Sequence, residues 1–194
     1  MDKNKNLGKK KRSWLSKVLW GMLAVVLVLL LIPQQIQNPV EGCGPSSYNH
    51  QTFWHPWGNH HHHGIDIFAK QGTPLHPACA GVVVATMSAD AGHAGGNCLT
   101  ILGTHGRVYY YAHLKELRTH VGAFVTQSDV IGTVGNTGNA FKGGKGAPHC
   151  HFAILSVIPQ LKHWVPAGER TMKDDVFKMF FVNPVESLRD SKGY

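Results

Sequence analysis

Short apolar runs separated by glycine-containing segments occupy residues 48–160. The runs are rich in β-branched and aromatic side chains and lie at 82–85, 99–102, 108–111, 130–134 and 149–157. The Gly-Gly and His-Gly steps between them are typical of tight turns. No long apolar stripe with the 3.6-residue period of a helix occurs in this region. The pattern predicts a mainly β domain.

A different pattern precedes this domain, because residues 18–32 are continuously apolar and carry no charge. At 1.5 Å per residue a helix of this length spans about 22 Å, less than the roughly 20 residues that usually cross a bilayer. Uncharged flanking residues and the long side chain of Lys17 extend the span. No small-residue cleavage site follows Ile32, which favours a retained anchor over a cleaved signal peptide. We therefore expect one N-terminal transmembrane helix over 18–32.

The positive charge is concentrated ahead of that apolar segment. The chain has 194 residues and a formal net charge of +8, and residues 1–17 hold seven Lys or Arg against one acid. The rest of the chain therefore contributes only +2. Such a body lacks the basic face that nucleic-acid binding needs, so we expect no nucleic-acid partner. The basic run predicts that 1–17 is a cytoplasmic N-terminus and that the chain after Ile32 is exported.

Composition divides the exported part into three regions. Residues 33–47 are rich in Pro, Gln, Gly and Ser and are predicted to be a linker, 48–160 form the domain, and 161–194 form a C-terminal extension that packs on it. The chain has four cysteines: Cys43, Cys79, Cys98 and Cys150. Export permits two disulfides, whose pairing the sequence leaves open, and the absence of C-x-x-C excludes a zinc ribbon or a thioredoxin-type motif.

The densest group of chemically active side chains is the histidine tract 60–63, followed by Asp66. One interpretation is a surface tract with loose metal affinity. However, Asp66 lies in an apolar run, where an unpaired carboxylate is costly. In an extended chain, residues two and four positions apart face the same way. His60 and His62 therefore share the face of Asp66, whereas the other two histidines point away.

A second group is His149-Cys150-His151, in a predicted strand that places both imidazoles on one face and Cys150 on the other. A third candidate, His113, shares a strand face with Tyr109 and Tyr111. Two histidines and one aspartate make up a ligand set typical of catalytic zinc sites. The chain lacks H-E-x-x-H and G-x-S-x-G, which argues against a helix-borne zinc protease and a nucleophile-elbow hydrolase.

Together these motifs resemble the LytM/lysostaphin-type zinc endopeptidases that cleave peptidoglycan peptides, peptidase family M23. The resemblance is carried by 62–68, 72–75, 81–83, 111–114, 132–138 and 148–152. It implies a mainly antiparallel β-sheet with a groove on one face. It also implies that His62, Asp66 and His151 bind Zn²⁺ and that His113 and His149 form the catalytic pair. The family usually has an apolar residue where this chain has Cys150, on the face away from the ligands.

The resemblance implies a zinc metalloendopeptidase, and the apolar N-terminal segment implies that it is anchored in a membrane. It would hydrolyse amide bonds in peptidoglycan stem peptides or cross-links during cell-wall remodelling. It would be a single-pass protein of the bacterial cytoplasmic membrane, with its catalytic domain on the extracytoplasmic side. The alternative is a non-catalytic, membrane-tethered wall-binding or regulatory protein that retains a metal site. The sequence leaves open the bond cleaved and which of His113 and His149 is the general base.

Overall fold

The computed structural model of the chain describes residues 14–25, 36–103, 106–141 and 146–188. The chain divides into two compact units, Met1–Gln34 and Gln35–Tyr194. In the first unit, residues 14–25 are helical. Within the described ranges, no helix combines the length and the apolar character needed to cross a bilayer. Residues 26–32 of the predicted transmembrane segment lie outside the described residues.

The described residues of the second unit form twelve short or medium-length strands. They are β1 Pro56–Trp57, β2 His60–His61, β3 Ile65–Phe68, β4 Pro74–Leu75, β5 Gly81–Met87, β6 Asn97–Gly103, β7 Arg107–Leu114, β8 Glu116–Leu117, β9 Phe124–Val125, β10 Gly132–Thr133, β11 His149–Ser156 and β12 Phe181–Val182. The main sheet has the order β12-β11-β7-β6-β5-β9, with β3 also paired to β11. Smaller sheets are formed by β4-β10-β8 and by β1-β2.

All the strand pairs are antiparallel. The predicted mainly β, antiparallel fold is therefore confirmed. Strand β11 is central to the arrangement, since β7 pairs with one of its edges while β3 and β12 share the other. Its N-terminal half lies between β3 and the end of β7, and the site described below is built there.

Strand alternation separates the core from the functional face, as the sequence predicted for β3 and β11. Ile65 and Ile67 are fully buried on one side of β3, and Cys150 and Phe152 are fully buried on the same side of β11. These side chains belong to one hydrophobic cluster. Removing large apolar side chains from water stabilises this arrangement by roughly 1.5–3 kcal/mol each. The core thus fixes the direction of the polar residues that alternate with them.

The region predicted to be a linker differs from that prediction over its described part, 36–47. Ile36 and Val40 are buried in the core of the domain, and Val40 forms a β-bridge with Leu75. The backbone N–H of His76 donates to the carbonyl of Pro39 at 2.7 Å. The Pro- and Gln-rich composition predicted a linker, but Ile36 and Val40, four positions apart, attach the segment to the core.

The segment after residue 160 also packs on the sheet. It contains three 3₁₀ helices, Leu161–His163, Ala167–Glu169 and Lys173–Phe180, then β12 and the short helix Pro184–Leu188. Strand β12 extends the main sheet by pairing with β11. Val185 and Leu188 enter the hydrophobic core. None of the four cysteines forms a disulfide among the described residues, and Cys79, Cys98 and Cys150 are buried.

Candidate active site

Three side-chain atoms from two parts of the chain converge at the start of β11. His62 Nε2 lies 3.1 Å from Asp66 Oδ1 and 2.9 Å from His151 Nδ1. His151 Nδ1 lies 3.1 Å from the same Asp66 oxygen. The three atoms therefore form a nearly equilateral triangle. Two imidazole nitrogens and one carboxylate oxygen in this arrangement can hold a metal ion.

The strand register places two of these residues. Asp66 of β3 is directly opposite His151 of β11, so both side chains rise from the same face of the sheet. His62 reaches them because the chain turns at Gly64. A Cβ atom at Gly64 would clash with the carbonyl oxygen of Phe152, so only glycine allows this close approach to β11.

Hydrogen bonds and burial determine the tautomer and the ionisation of these three side chains. His62 Nδ1 donates to the carbonyl oxygen of Thr52 at 3.1 Å, so in the neutral ring Nε2 carries the lone pair that faces Asp66. Burial by itself raises the pKa of Asp66, but hydrogen bonds from His151 and His62 hold it well below its ordinary value. Burial lowers the pKa of His151. Burial also acts to lower the pKa of His62, but its hydrogen bond and charge interaction with Asp66 raise that pKa above its ordinary value. The site therefore presents an ionised carboxylate near pH 7, with the imidazole of His151 held neutral beside it.

Two further imidazoles lie beside this triangle. His149 Nε2 is 3.8 Å from Asp66 Oδ1, and the rings of His113 and His149 have their centroids 4.9 Å apart. His113 Nδ1 donates to the carbonyl of Thr137 at 2.9 Å, and His149 Nδ1 donates to that of Ala147 at 2.8 Å. In each neutral ring, Nε2 is therefore the atom able to accept a proton.

The position of His113 corrects the sequence-based assignment of its face. Tyr109 and Tyr111 are fully buried in the core, whereas His113 lines the cleft. Strand β7 has one extra residue where Asn97 and Leu99 of β6 pair with Leu114 and Tyr111, and His113 there has φ = +64°. This β-bulge interrupts the alternation, so both Ala112 and His113 face the cleft.

The five residues lie in a cleft of about 380 Å³. Its walls include Trp57, Phe68 and Tyr110, and loop residues such as Gly95 and Ala147. Trp57 is half exposed, as a groove-lining aromatic side chain would be. Tyr110 lines the cleft because it alternates along β7 with the buried Tyr109 and Tyr111. Strand alternation in the sequence could therefore have predicted that Tyr110 lies in the cleft. The cleft is wide enough for an extended peptide segment.

A family model described as Peptidase family M23 matches residues 60–162, just over half of the chain. The chain belongs to peptidase family M23. The match contains every one of the five histidine and aspartate residues described above. Membership therefore agrees with the resemblance seen in the sequence motifs.

Relatives of this M23 chain include named endopeptidases. It is 32% identical over 119 residues to the L-Ala–D-Glu endopeptidase of Bacillus subtilis (strain 168). The alignment covers 56% of this chain and 35% of that protein. It is 32% identical over 94 residues to the peptidoglycan DD-endopeptidase ShyC of Vibrio cholerae, covering 48% and 20%. The chain thus spans about a third or less of the length of these relatives.

The fold of the M23 chain is also found among solved structures. The antimicrobial peptidase lysostaphin from Staphylococcus simulans superposes with a TM-score of 0.52 and 21% identity, covering 81% of this chain and 54% of that one. At this level of identity the similarity shows a shared fold.

The donor triangle fits the metal that the family implies. In a tetrahedral zinc site with bonds of about 2.0–2.1 Å, neighbouring ligand atoms are about 3.3 Å apart. The corresponding atoms of His62, Asp66 and His151 are 2.9–3.1 Å apart. Shifts of a few tenths of an ångström would accommodate an ion. The chemistry of the set also fits, because it combines nitrogen and oxygen donors with one ionised group.

The sequence did not predict the contact between Asp174 and the histidine tract. Asp174, far along the sequence, binds His61 and His63. His60 is exposed and hydrogen-bonds its neighbour Asn59. Strand parity predicted that His61 and His63 point away from Asp66, but no local pattern identified their partner.

Proposed function

We propose that this chain is a zinc metalloendopeptidase that hydrolyses amide bonds in the stem peptides or cross-links of peptidoglycan. The observation that carries the proposal is the triangle formed by His62, Asp66 and His151 at the floor of a peptide-sized cleft. His113 and His149 stand beside it. A closed structural site would have four protein ligands, whereas three leave a position for the reaction.

Zinc is the proposed metal because the donor set combines two imidazoles with one carboxylate and lacks a thiolate. A zinc ion held by His62, Asp66 and His151 would supply a Lewis acid that polarises the scissile carbonyl and makes water a nucleophile near neutral pH. Thr52 orients His62 through its carbonyl oxygen, which keeps Nε2 directed at the other two ligand atoms.

His113 and His149 would transfer protons during the reaction. His113 and His149 both have Nδ1–H tied to a backbone carbonyl, so each presents Nε2 to the cleft. Burial lowers the pKa of His113 to about 4, which keeps this imidazole neutral near pH 7. Either ring can accept the proton of the attacking water at Nε2, and the imidazolium formed in this way can donate a hydrogen bond to the developing oxyanion.

The proposed substrate follows from the relatives and from the shape of the cleft. The two relatives described above are named for endopeptidase activity, one of them on peptidoglycan. The walls of the cleft at Ala94, Gly95, Gly146 and Ala147 carry little side-chain bulk. An extended peptide backbone can therefore approach the triangle closely.

The membrane location is also a proposal. It is supported by the uncharged apolar segment 18–32 and by the seven basic residues that precede it. These features would keep 1–17 in the cytoplasm and place the domain outside the membrane, where peptidoglycan is found. Protease added to intact spheroplasts should digest the domain. A protected domain, or a mature chain that begins after Ile32, would contradict the anchored form.

The activity is tested with the purified full-length chain in detergent, incubated with isolated cell-wall material. We expect the release of new free amino groups, loss of that release with a chelator, and its return on adding zinc. The His62→Ala variant should release none. Stoichiometric metal binding without any amine release would instead favour the non-catalytic wall-binding alternative.

A further inference from the structure

A second cluster of hydrogen bonds lies behind the metal centre. Asp174, in the 3₁₀ helix Lys173–Phe180, accepts three hydrogen bonds from the histidine tract. The backbone N–H of His61 donates to Oδ2 at 2.7 Å, and His61 Nδ1 donates to Oδ1 at 3.0 Å. His63 Nε2 donates to Oδ2 at 2.8 Å. The carboxylate thus binds both neighbours of the ligand His62.

Aromatic rings hold the two histidines that Asp174 binds. The Trp54 ring stacks on His61, with centroids 5.1 Å apart and planes inclined by 14°, and also lies 5.1 Å from the ring of His63. The Phe181 ring stacks on His63 from the C-terminal segment, at 4.5 Å. Trp54 has φ = +60°, a strained conformation for a non-glycine residue that persists only where the surroundings impose it.

Asp174 is also held from its own side. Its neighbour Asp175 accepts hydrogen bonds from the backbone N–H groups of Thr171 and Met172 at 2.8 and 3.0 Å, and one from Trp54 Nε1 at 3.4 Å. Asp175 is buried. The carboxylate of Asp174 therefore projects from a fixed turn and is not an exposed, freely moving side chain.

The backbone of His62 is held by its own hydrogen bonds, and the side chains on either side of it are held by Asp174. The backbone N–H of His62 donates to the carbonyl of His55, and its carbonyl accepts from the N–H of Trp54, both at 2.8 Å. These bonds fix one edge of the tract, while Asp174 holds the side chains on either side of His62. Metal ligands tolerate displacements of only about 0.5 Å, so a loosened tract would weaken the site.

The cluster is not a second metal site. Within the part of the chain that the structure describes, only His62, Asp66 and His151 bring three suitable donor atoms together. Asp174 also lies outside 60–162, the region that the family model matches. The contact is therefore a feature of this chain's C-terminal segment.

We propose that Asp174 is a positioning residue, which clamps His61 and His63 from the C-terminal segment and so keeps His62 in the geometry of a metal ligand. The proposal rests on the proposed metal site. It predicts that the C-terminal segment contributes to metal affinity although none of its residues is a ligand.

The test measures zinc affinity of the full-length chain by competition with a chromogenic chelator. Asp174→Ala should lower the affinity roughly tenfold, the lower end of what loss of outer-shell partners costs. Asp174→Asn keeps one acceptor oxygen and should fall between this variant and the parent. The matched control is Asp129→Ala, which removes a carboxylate that accepts two hydrogen bonds from Thr126 in a turn away from the cleft.

Thermal unfolding of the metal-free proteins separates positioning from folding. If Asp174→Ala lowers the metal-free melting temperature no more than Asp129→Ala but binds zinc less tightly, the proposal holds. If its zinc affinity equals that of the parent, Asp174 only stabilises the fold and the proposal is overturned. Should Asp174→Ala fail to fold, Asp174→Asn is decisive, since unchanged affinity in a folded variant refutes the clamp. Weak zinc binding by the parent, equal to that of His62→Ala, would instead refute the metal site itself.

Discussion

Two clusters on opposite sides of the histidine tract contain the same groups, two imidazoles and one carboxylate. Their carboxylates are buried to a similar extent, with side-chain exposures of 17% for Asp66 and 14% for Asp174. The front cluster is formed by His62, Asp66 and His151. In it, Asp66 Oδ1 lies close to one ring nitrogen of each histidine, and the two nitrogens lie close to each other. In the rear cluster, formed by His61, His63 and Asp174, the two imidazoles bind different oxygens of Asp174, His61 at Oδ1 and His63 at Oδ2.

This difference separates a metal site from a structural clamp. Imidazole N–H groups that donate to separate oxygens satisfy the carboxylate and leave no shared space for an ion. Two nitrogens and one oxygen that converge on one point create such a space. Composition and burial do not distinguish the two clusters, whereas the convergence of the three ligand atoms does.

The largest expected effect comes from making the same substitution on both sides. Asp66→Asn replaces the ionised carboxylate by a neutral amide and should lower zinc affinity by at least about a hundredfold. Asp174→Asn should have a much smaller effect, because it acts only through the neighbours of His62. Chelator competition on the two variants checks this ranking. Equal losses would mean that the two carboxylates are not functionally distinct.

The second expected effect separates metal binding from proton transfer. His113→Ala should bind zinc as tightly as the parent, because its ring is outside the donor triangle. It should lower turnover on cell-wall material by about 10²–10⁴-fold, the usual contribution of general acid–base catalysis. The measurement pairs metal content with amine release. Parallel loss of metal and activity would place His113 among the ligands instead.

A third prediction concerns the turn that joins the tract to β3. Gly64→Ala introduces a Cβ against the Phe152 carbonyl and should lower the free energy of unfolding by about 1–3 kcal/mol. Gly44→Ala is the matched control, since a Cβ there meets nothing within 4 Å. Chemical denaturation compares them. Equal stability of the two variants would show that the approach of the tract to β11 is less tight than described.

The smallest expected effect comes from the rear side of the tract. His63→Ala removes one of three hydrogen bonds to Asp174 and should lower zinc affinity by no more than about threefold. His60→Ala should leave it unchanged, because that side chain is exposed and bonds only within its own loop. Titration of both variants against the same chelator measures this. A larger loss in His60→Ala than in His63→Ala would reverse the assignment.

Much of the front cluster could be predicted from the sequence because it is built on regular strands. Period-two alternation in β3 and β11 correctly placed Asp66, His149 and His151 on one face and Cys150 on the other. The same alternation placed His113 on the wrong face, because its bulge and positive φ have no signature in a non-glycine residue. Its catalytic role was implied by the family resemblance. Local rules fail where the backbone departs from the strand geometry that they assume.

The rear cluster and the N-terminal boundary of the domain could not be predicted. Asp174 is 113 positions from His61, and its contact depends on the packing of several 3₁₀ helices. Residues 36–47 have the composition of a linker, but Ile36 and Val40 attach them to the core. Long-range contacts of this kind depend on tertiary packing, which composition and periodicity do not encode.

The most direct test of the central claim is the metal content of the full-length chain and its variants, measured by elemental analysis after dialysis. The account predicts about one zinc per chain in the parent and in His61→Ala and His63→Ala. It predicts almost none in His62→Ala, Asp66→Ala and His151→Ala. Retention of metal by the three front variants, or its loss from the rear variants alone, would contradict the proposed site.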